Sequence, residues 1–195
     1  HPHSSPLMGL TFSDTISIGG GKDFLKLSLA PRGQSTDGPI AFMHRPTGMV
    51  NPDAPLGHHI GQDVGHITST VFAASLRLNK TTLETSAFNG REPEPAKVDL
   101  PIGKINSQAV RLIQEIGQDI QVMASYAYVR APEAHDDGPD HVERISASVY
   151  RFESADNGWI IHDALIYGRI NNNAGTNKLQ SFAYEFAAQR EKNTI

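Results

Sequence analysis

Along this chain the apolar residues recur more often at every second position than at every third and fourth, a pattern that few folds can accommodate. Residues 120–128 show it most plainly. Ile120, Val122, Ala124, Tyr126 and Tyr128 fall on one face, and Gln121, Met123, Ser125 and Ala127 on the other. In 144–152, Ile145, Ala147 and Val149 oppose Arg144, Ser146 and Ser148. In 178–190, Phe182, Tyr184 and Phe186 oppose Ser181, Ala183 and Glu185. A side chain that changes face at each residue belongs to a half-buried strand, because successive Cβ atoms of a pleated backbone point to opposite sides. Segment 105–118 leaves an alternative open, since Ala109, Val110, Leu112, Ile113 and Ile116 also fit one face of a helix.

Turn residues pair these strands. Gly19-Gly20-Gly21-Lys22 joins 8–18 to 23–31, Asn79-Lys80 joins 66–78 to 81–89, and Gly117-Gln118 joins 105–116 to 119–130. Asp156-Asn157-Gly158 joins 142–154 to 159–169, and Asn-Gly is a strong hairpin signal. A ninth strand, 178–190, has no visible partner after it. The connections between hairpins, 32–65, 90–104, 131–141 and 170–177, are longer and richer in Pro, Gly and charge. Short and long connections therefore alternate strictly, as the periplasmic turns and outward loops of an outer-membrane barrel do. The strands also exceed the usual globular length of about five or six residues.

Composition is compatible with such a barrel. Only 38% of the 195 residues are apolar, and no run approaches the roughly 20 needed for a membrane-spanning helix. A barrel strand needs apolar residues on one face only. Seventeen Lys and Arg against 21 Asp and Glu leave a formal charge of −4, which gives no reason to expect a nucleic-acid partner. With no cysteine, disulfide frameworks, thiolate zinc sites and cysteine nucleophiles are excluded. The sequence opens at His1 without an export signal and closes on a polar stretch, 191–195. Barrels of this type normally have even strand numbers, and nine is odd. The expectation is one β-barrel domain over residues 1–195, incomplete at both ends. Aromatics are only 7%, thin for two interfacial girdles, and Asp163 lies between Ile161 and Leu165 on an outward face. A charge on lipid near the midplane costs about 2–4 kcal/mol for Lys or Arg and less for Asp. Asp163 must therefore sit near a rim, or the inside–outside assignment of its strand is inverted.

Certain words in the sequence are more specific than its periods. Ala41-Phe42-Met43-His44-Arg45-Pro46 is followed by Pro55-Leu56-Gly57-His58-His59 and by His66-Ile67. Leu83-Glu84-Thr85-Ser86-Ala87-Phe88-Asn89-Gly90-Arg91-Glu92-Pro93 comes one hairpin turn later, then Gln121-Val122-Met123-Ala124-Ser125-Tyr126 and Ala131-Pro132-Glu133. In these words, in register from about residue 20 to 190, the chain resembles a family of functionally uncharacterised bacterial outer-membrane β-barrel proteins. That family carries an AFMHRP segment, an LGHH loop and an FNGREP strand end. The chain departs from the family at Thr85, where Gly is usual, at Glu94-Pro95, and in having Trp159 as its single Trp. Family members continue through further strands, so the resemblance implies a truncated or divergent member. It implies a location in the cell envelope rather than a chemistry.

Three clusters could carry chemistry. His58, His59, Asp63 and His66 combine imidazoles with a carboxylate, a donor set suited to zinc or a similar divalent metal. The spacing is no known metal signature, and a polar loop whose His residues bond one another is the competing reading. His135, Asp136, Asp137, Asp140 and His141 crowd a second loop, where acidic residues are solvated or bridged by divalent ions to lipopolysaccharide. At the FNGREP strand end, Asn89, Gly90, Arg91 and Glu92 make a rim element. There Asn-Gly tolerates a left-handed turn, Pro93 stops the ladder, and Arg91 with Glu92 can pair. A pore-rim or ligand contact is the functional reading of that element. Catalytic signatures such as G-x-S-x-G, H-E-x-x-H and the P-loop are absent.

The sequence thus predicts an all-β fold: an antiparallel up-and-down meander of about nine strands, forming a transmembrane β-barrel or a large fragment of one. The expected location is the bacterial outer membrane and the expected role that of a passive pore or surface structural protein. Its partners would be membrane lipids and lipopolysaccharide, with no nucleic acid and the oligomeric state left open. Inward polar residues Gln121, Ser125, Arg144, Ser146, Ser148, Ser181 and Glu185 are the candidate pore lining. No enzyme activity is expected, and no cofactor apart from the divalent metal that the His58 loop would hold. The alternative is a soluble antiparallel β-barrel or sandwich binding a small ligand, with an enzyme a third reading.

Overall fold

The computed structural model describes residues 9–41, 44–47, 67–93, 102–132, 139–155, 158–172, 177–190 and 193–194. The strands are β1 (Leu10–Ile18), β2 (Asp23–Gly33), β3 (Thr68–Leu78), β4 (Thr81–Asn89) and β5 (Ser107–Ile116). They continue with β6 (Ile120–Arg130), β7 (His141–Ser154), β8 (Ile160–Asn172), β9 (Asn177–Arg190) and the two-residue β10 (Asn193–Thr194). They form one sheet in chain order, every neighbour antiparallel. The strand that had no visible successor is therefore followed by a short one that pairs back onto it. Among the described residues β1 pairs with β2 alone, so the sheet does not close on itself.

The helical alternative for 105–118 fails, because Ser107–Ile116 is a strand paired to β4 on one side and β6 on the other. On β5 Arg111 and Glu115 point to the inner side and meet Glu84 and Arg77. The tight turns lie where the sequence put them. Asn79 takes φ 56° in the two-residue turn between Leu78 and Thr81, and Gly117 φ 68° in the three-residue turn between Ile116 and Ile120, a left-handed conformation that Asn and Gly adopt at least cost.

The register turns the alternation into two opposed surfaces. Ile16, Leu25, Leu76, Leu83, Leu112, Ala124, Ala147, Tyr167 and Phe182 are successive cross-strand partners, an apolar row that crosses all nine long strands. One position along each strand, the row is Thr15, Lys26, Ser75, Glu84, Arg111, Ser125, Ser146, Gly168 and Ser181. The first row faces outward, with Leu112 and Phe182 exposed, while Ser125 and Ser146 of the second are buried. The usual distribution of a soluble domain is inverted. Inward apolar residues gather in two clusters, one of Ala30, Val71, Phe88, Ala109, Ala127, Val129 and Val142, the other of Met123, Tyr150, Ala164 and Ile166.

The connection after β2 was expected among the long outward loops. Instead the described part of it, 35–41 and 44–47, turns back over the sheet and packs on its inner side. There Ile40 joins the Tyr150 cluster.

Candidate functional site

The inner side of the sheet is the candidate site, and the chain fills it with its own residues. Residues 35–41 and 44–47, beginning with the small and polar Ser35-Thr36-Asp37-Gly38, enter a space lined by Ser and charged side chains. The Thr36 amide donates to Ser86 Oγ at 3.0 Å, the two hydroxyls lie 2.9 Å apart, and the Thr36 hydroxyl also donates to the Ala109 carbonyl. Next, Asp37, at 1% exposure, accepts from Arg144 Nη1 at 2.7 Å. Deeper along β7, Tyr150 Oη accepts from the Ile40 amide at 3.2 Å.

The segment is held again on the far side. Arg45, at 3% exposure, donates from Nε and Nη2 to the two carboxylate oxygens of Glu185 on β9, at 2.8 and 2.5 Å. This is the two-pronged geometry that makes guanidinium–carboxylate pairs strong. Arg45 Nη1 donates to the Ile40 carbonyl at 2.7 Å, and the Thr47 hydroxyl donates to Glu185. The wall carries its own pairs beside these. Arg111 Nε donates to Glu84 at 2.7 Å and Arg77 grips Glu115 at 2.6 and 2.9 Å. The Gly38 carbonyl accepts from Arg111 Nη1 at 3.5 Å.

All seven residues read as pore lining, Gln121, Ser125, Arg144, Ser146, Ser148, Ser181 and Glu185, lie on the inner face by register. Ser125 and Ser146 share a hydrogen bond of 2.7 Å. Arg144 and Glu185 hold the chain's own segment. Sequence reasoning missed the partners, Thr36, Asp37 and Arg45, because all three sit in a connection with no periodicity. Arg45 stands in the sequence only as one letter of the AFMHRP segment.

At the rim of long connections the FNGREP strand end is a packed junction. Asn89 Nδ2 donates to the Lys104 carbonyl, the Gly90 amide donates to Asn106 Oδ1, and Thr68 donates to the Asn89 carbonyl. Gly90 is required for a different reason from the one expected. It is not in the left-handed region; a Cβ there would stand 2.2 Å from Ser107 Oγ and 2.4 Å from the Arg130 carbonyl. Arg91 is exposed and Glu92 half-buried, its amide donating to the Pro132 carbonyl.

Asp163 lies on the outward face near the opposite rim, the first of the two positions open to it. Arg151 Nη2 approaches its carboxylate at 2.5 Å and Tyr184 donates to it at 2.6 Å, so the charge is neutralised where it sits. In the second acidic loop the described residues serve structure: the Asp140 carbonyl accepts from Ala131 N, and His141 stacks on Tyr128. His58, His59, Asp63 and His66, the metal candidates, lie outside the described residues.

No family model, curated protein or solved structure matches the chain.

Proposed function

We propose that this chain forms the wall of a bacterial outer-membrane β-barrel, a passive pore or surface structural protein held in a closed state. One observation carries the reading: an unbroken apolar row faces outward across nine strands, one position away from an inward row of polar residues and one Gly. A soluble monomer rarely exposes an apolar patch beyond a few hundred Å². Lipid removes that cost, since burying each large side chain is worth about 1.5–3 kcal/mol. A soluble ligand-binding barrel would place its polar residues on the opposite face.

Other features agree. The long strands have 9–14 residues, and about 9–11 tilted residues suffice to cross a bilayer. Tyr126 reaches Glu143 near one rim and Tyr184 reaches Asp163 near the other, so aromatic rings with polar tips flank the apolar row. Between the two forms of the reading, pore or structural wall, the filled inner side favours a barrel that is closed as it stands.

Vesicle flotation tests the proposal. The purified chain should float with phosphatidylcholine vesicles in a density gradient and should stay folded only in lipid or detergent. A folded, monodisperse monomer in detergent-free buffer overturns it.

A further inference from the structure

We propose that the connection after β2, through its described parts 35–41 and 44–47, is a built-in plug, latched inside the barrel by polar contacts, whose withdrawal opens a passage for small hydrophilic solutes. The inference rests on the membrane reading above and adds a conformational device to it.

Among the described residues of the segment, Pro39, Ile40 and Ala41 are packed apolar side chains, and the anchoring contacts are the polar pairs Thr36–Ser86, Asp37–Arg144 and Arg45–Glu185. Each of these wall partners is a side chain that water can solvate equally well. Emptying the inner side therefore uncovers a hydrophilic row, Ser75, Glu84, Arg111, Ser125 and Ser146 among it. Interfaces that are polar on both sides are those that part and re-form.

The closed state is also imperfectly satisfied. Asp37 Oδ1 and Arg144 Nε are buried without a protein partner among the described residues. A partly satisfied buried network costs stability that hydration restores, so the balance between docked and withdrawn is closer than the ion pairs alone imply. The latch has two polarities: the segment offers an acid to a wall base and a base to a wall acid. Reversing one charge breaks one pair and leaves a like-charge contact in its place.

The chain contains no cysteine, which allows a clean lock. The Thr36 and Ser86 hydroxyls are 2.9 Å apart, so Thr36→Cys with Ser86→Cys places two thiols within bonding reach. In that background Arg45→Glu weakens the latch at Glu185. Removing one partner of a buried ion pair shifts the balance on the order of 10²–10⁴-fold toward the withdrawn state.

The measurement is swelling of phosphatidylcholine vesicles in a small sugar, on vesicles that float with bound protein. The triple variant should be tight when oxidised and should swell at least tenfold faster when reduced. Adding Glu185→Arg, which rebuilds the pair with its charges exchanged, should return the reduced protein to the tight state. Floated vesicles whose swelling ignores reduction overturn the plug and leave the membrane reading standing. Protein that does not float removes both. Ser86→Cys alone gives an answer with both ion pairs of the latch intact, because the position is 4% exposed beneath the segment. Its thiol should react with a maleimide more than tenfold slower than one at the open position Gly21→Cys, yet to completion. Equal rates, or a thiol that never reacts in folded protein, overturn the plug as well.

Discussion

Leu112→Arg separates a wall that faces lipid from one that faces water, because the two environments predict different outcomes. Leu112 is the fifth of nine residues in the apolar row, with Leu83 and Ala124 as its immediate neighbours. Along β5 it lies five positions from Ser107 and four from Ile116. At about 3.4 Å per residue and a tilt of about 40°, that places it roughly 10–13 Å from either rim, near the middle of an apolar band about 25 Å tall. An Arg there costs about 2–4 kcal/mol in lipid. In water the same substitution, at a side chain already exposed, stays within about 0.5 kcal/mol. Gln108→Arg, outward on the same strand but next to the rim, is the control, at about 0–1 kcal/mol. Urea unfolding of vesicle-inserted protein, followed by the fluorescence of Trp159, reads the difference from a single reporter. With a slope of about 1–3 kcal/mol per molar urea, the Leu112→Arg midpoint should fall by about 1–2 M. Equal midpoints for the two variants refute the lipid-facing assignment of the row.

Two further substitutions test local readings in the same assay. Gly90→Ala should cost at least about 1–3 kcal/mol, since its methyl displaces Ser107, whose hydroxyl accepts from the Arg130 amide at 2.9 Å. Gly21→Ala has open space around it and should stay within about 0.5 kcal/mol; equal effects would show that close approach is not what requires Gly90. At the other rim, a double-mutant cycle of Arg151→Met and Asp163→Asn should return a favourable coupling distinguishable from zero, because Asp163 is also held by Tyr184. A coupling near zero would mean that the pair is solvated like an ordinary surface contact.

The wall was legible in the sequence because each of its determinants is local. Alternation at Ile120 to Tyr128 set the faces, and Asn79, Gly117 and Gly158 marked the turns, all within a few residues of what they control. The strand ends agree with the structure to within three residues throughout. Ser35-Thr36-Asp37-Gly38-Pro39 carries the same local signals as any exposed turn, and so it read as a loop. What buries it lies far away along the chain: Thr36 meets Ser86 50 residues on, Asp37 meets Arg144 107 on, and Arg45 meets Glu185 140 on. No window short enough to reveal a period can contain such pairs.

Charge on the inner face nonetheless pointed to a missing partner once the register was known. Glu84 stands directly across from Arg111, and Arg77 and Glu115 reach each other over one intervening strand, so these four neutralise one another within the wall. Arg144 has Ala127 and Ile170 as its cross-strand neighbours, and Glu185 has Ala164. A wall that turned these two charges inward against apolar neighbours would carry a desolvation cost of several kcal/mol for each. Such a wall is stable only if water fills the inside or if an opposite charge arrives from elsewhere in the chain. Asp37 and Arg45 are that charge, one of each sign, eight residues apart in one connection. Arg45 was in view from the start as part of the AFMHRP word, but no local pattern explained it, because its partner was a property of the register and not of the word.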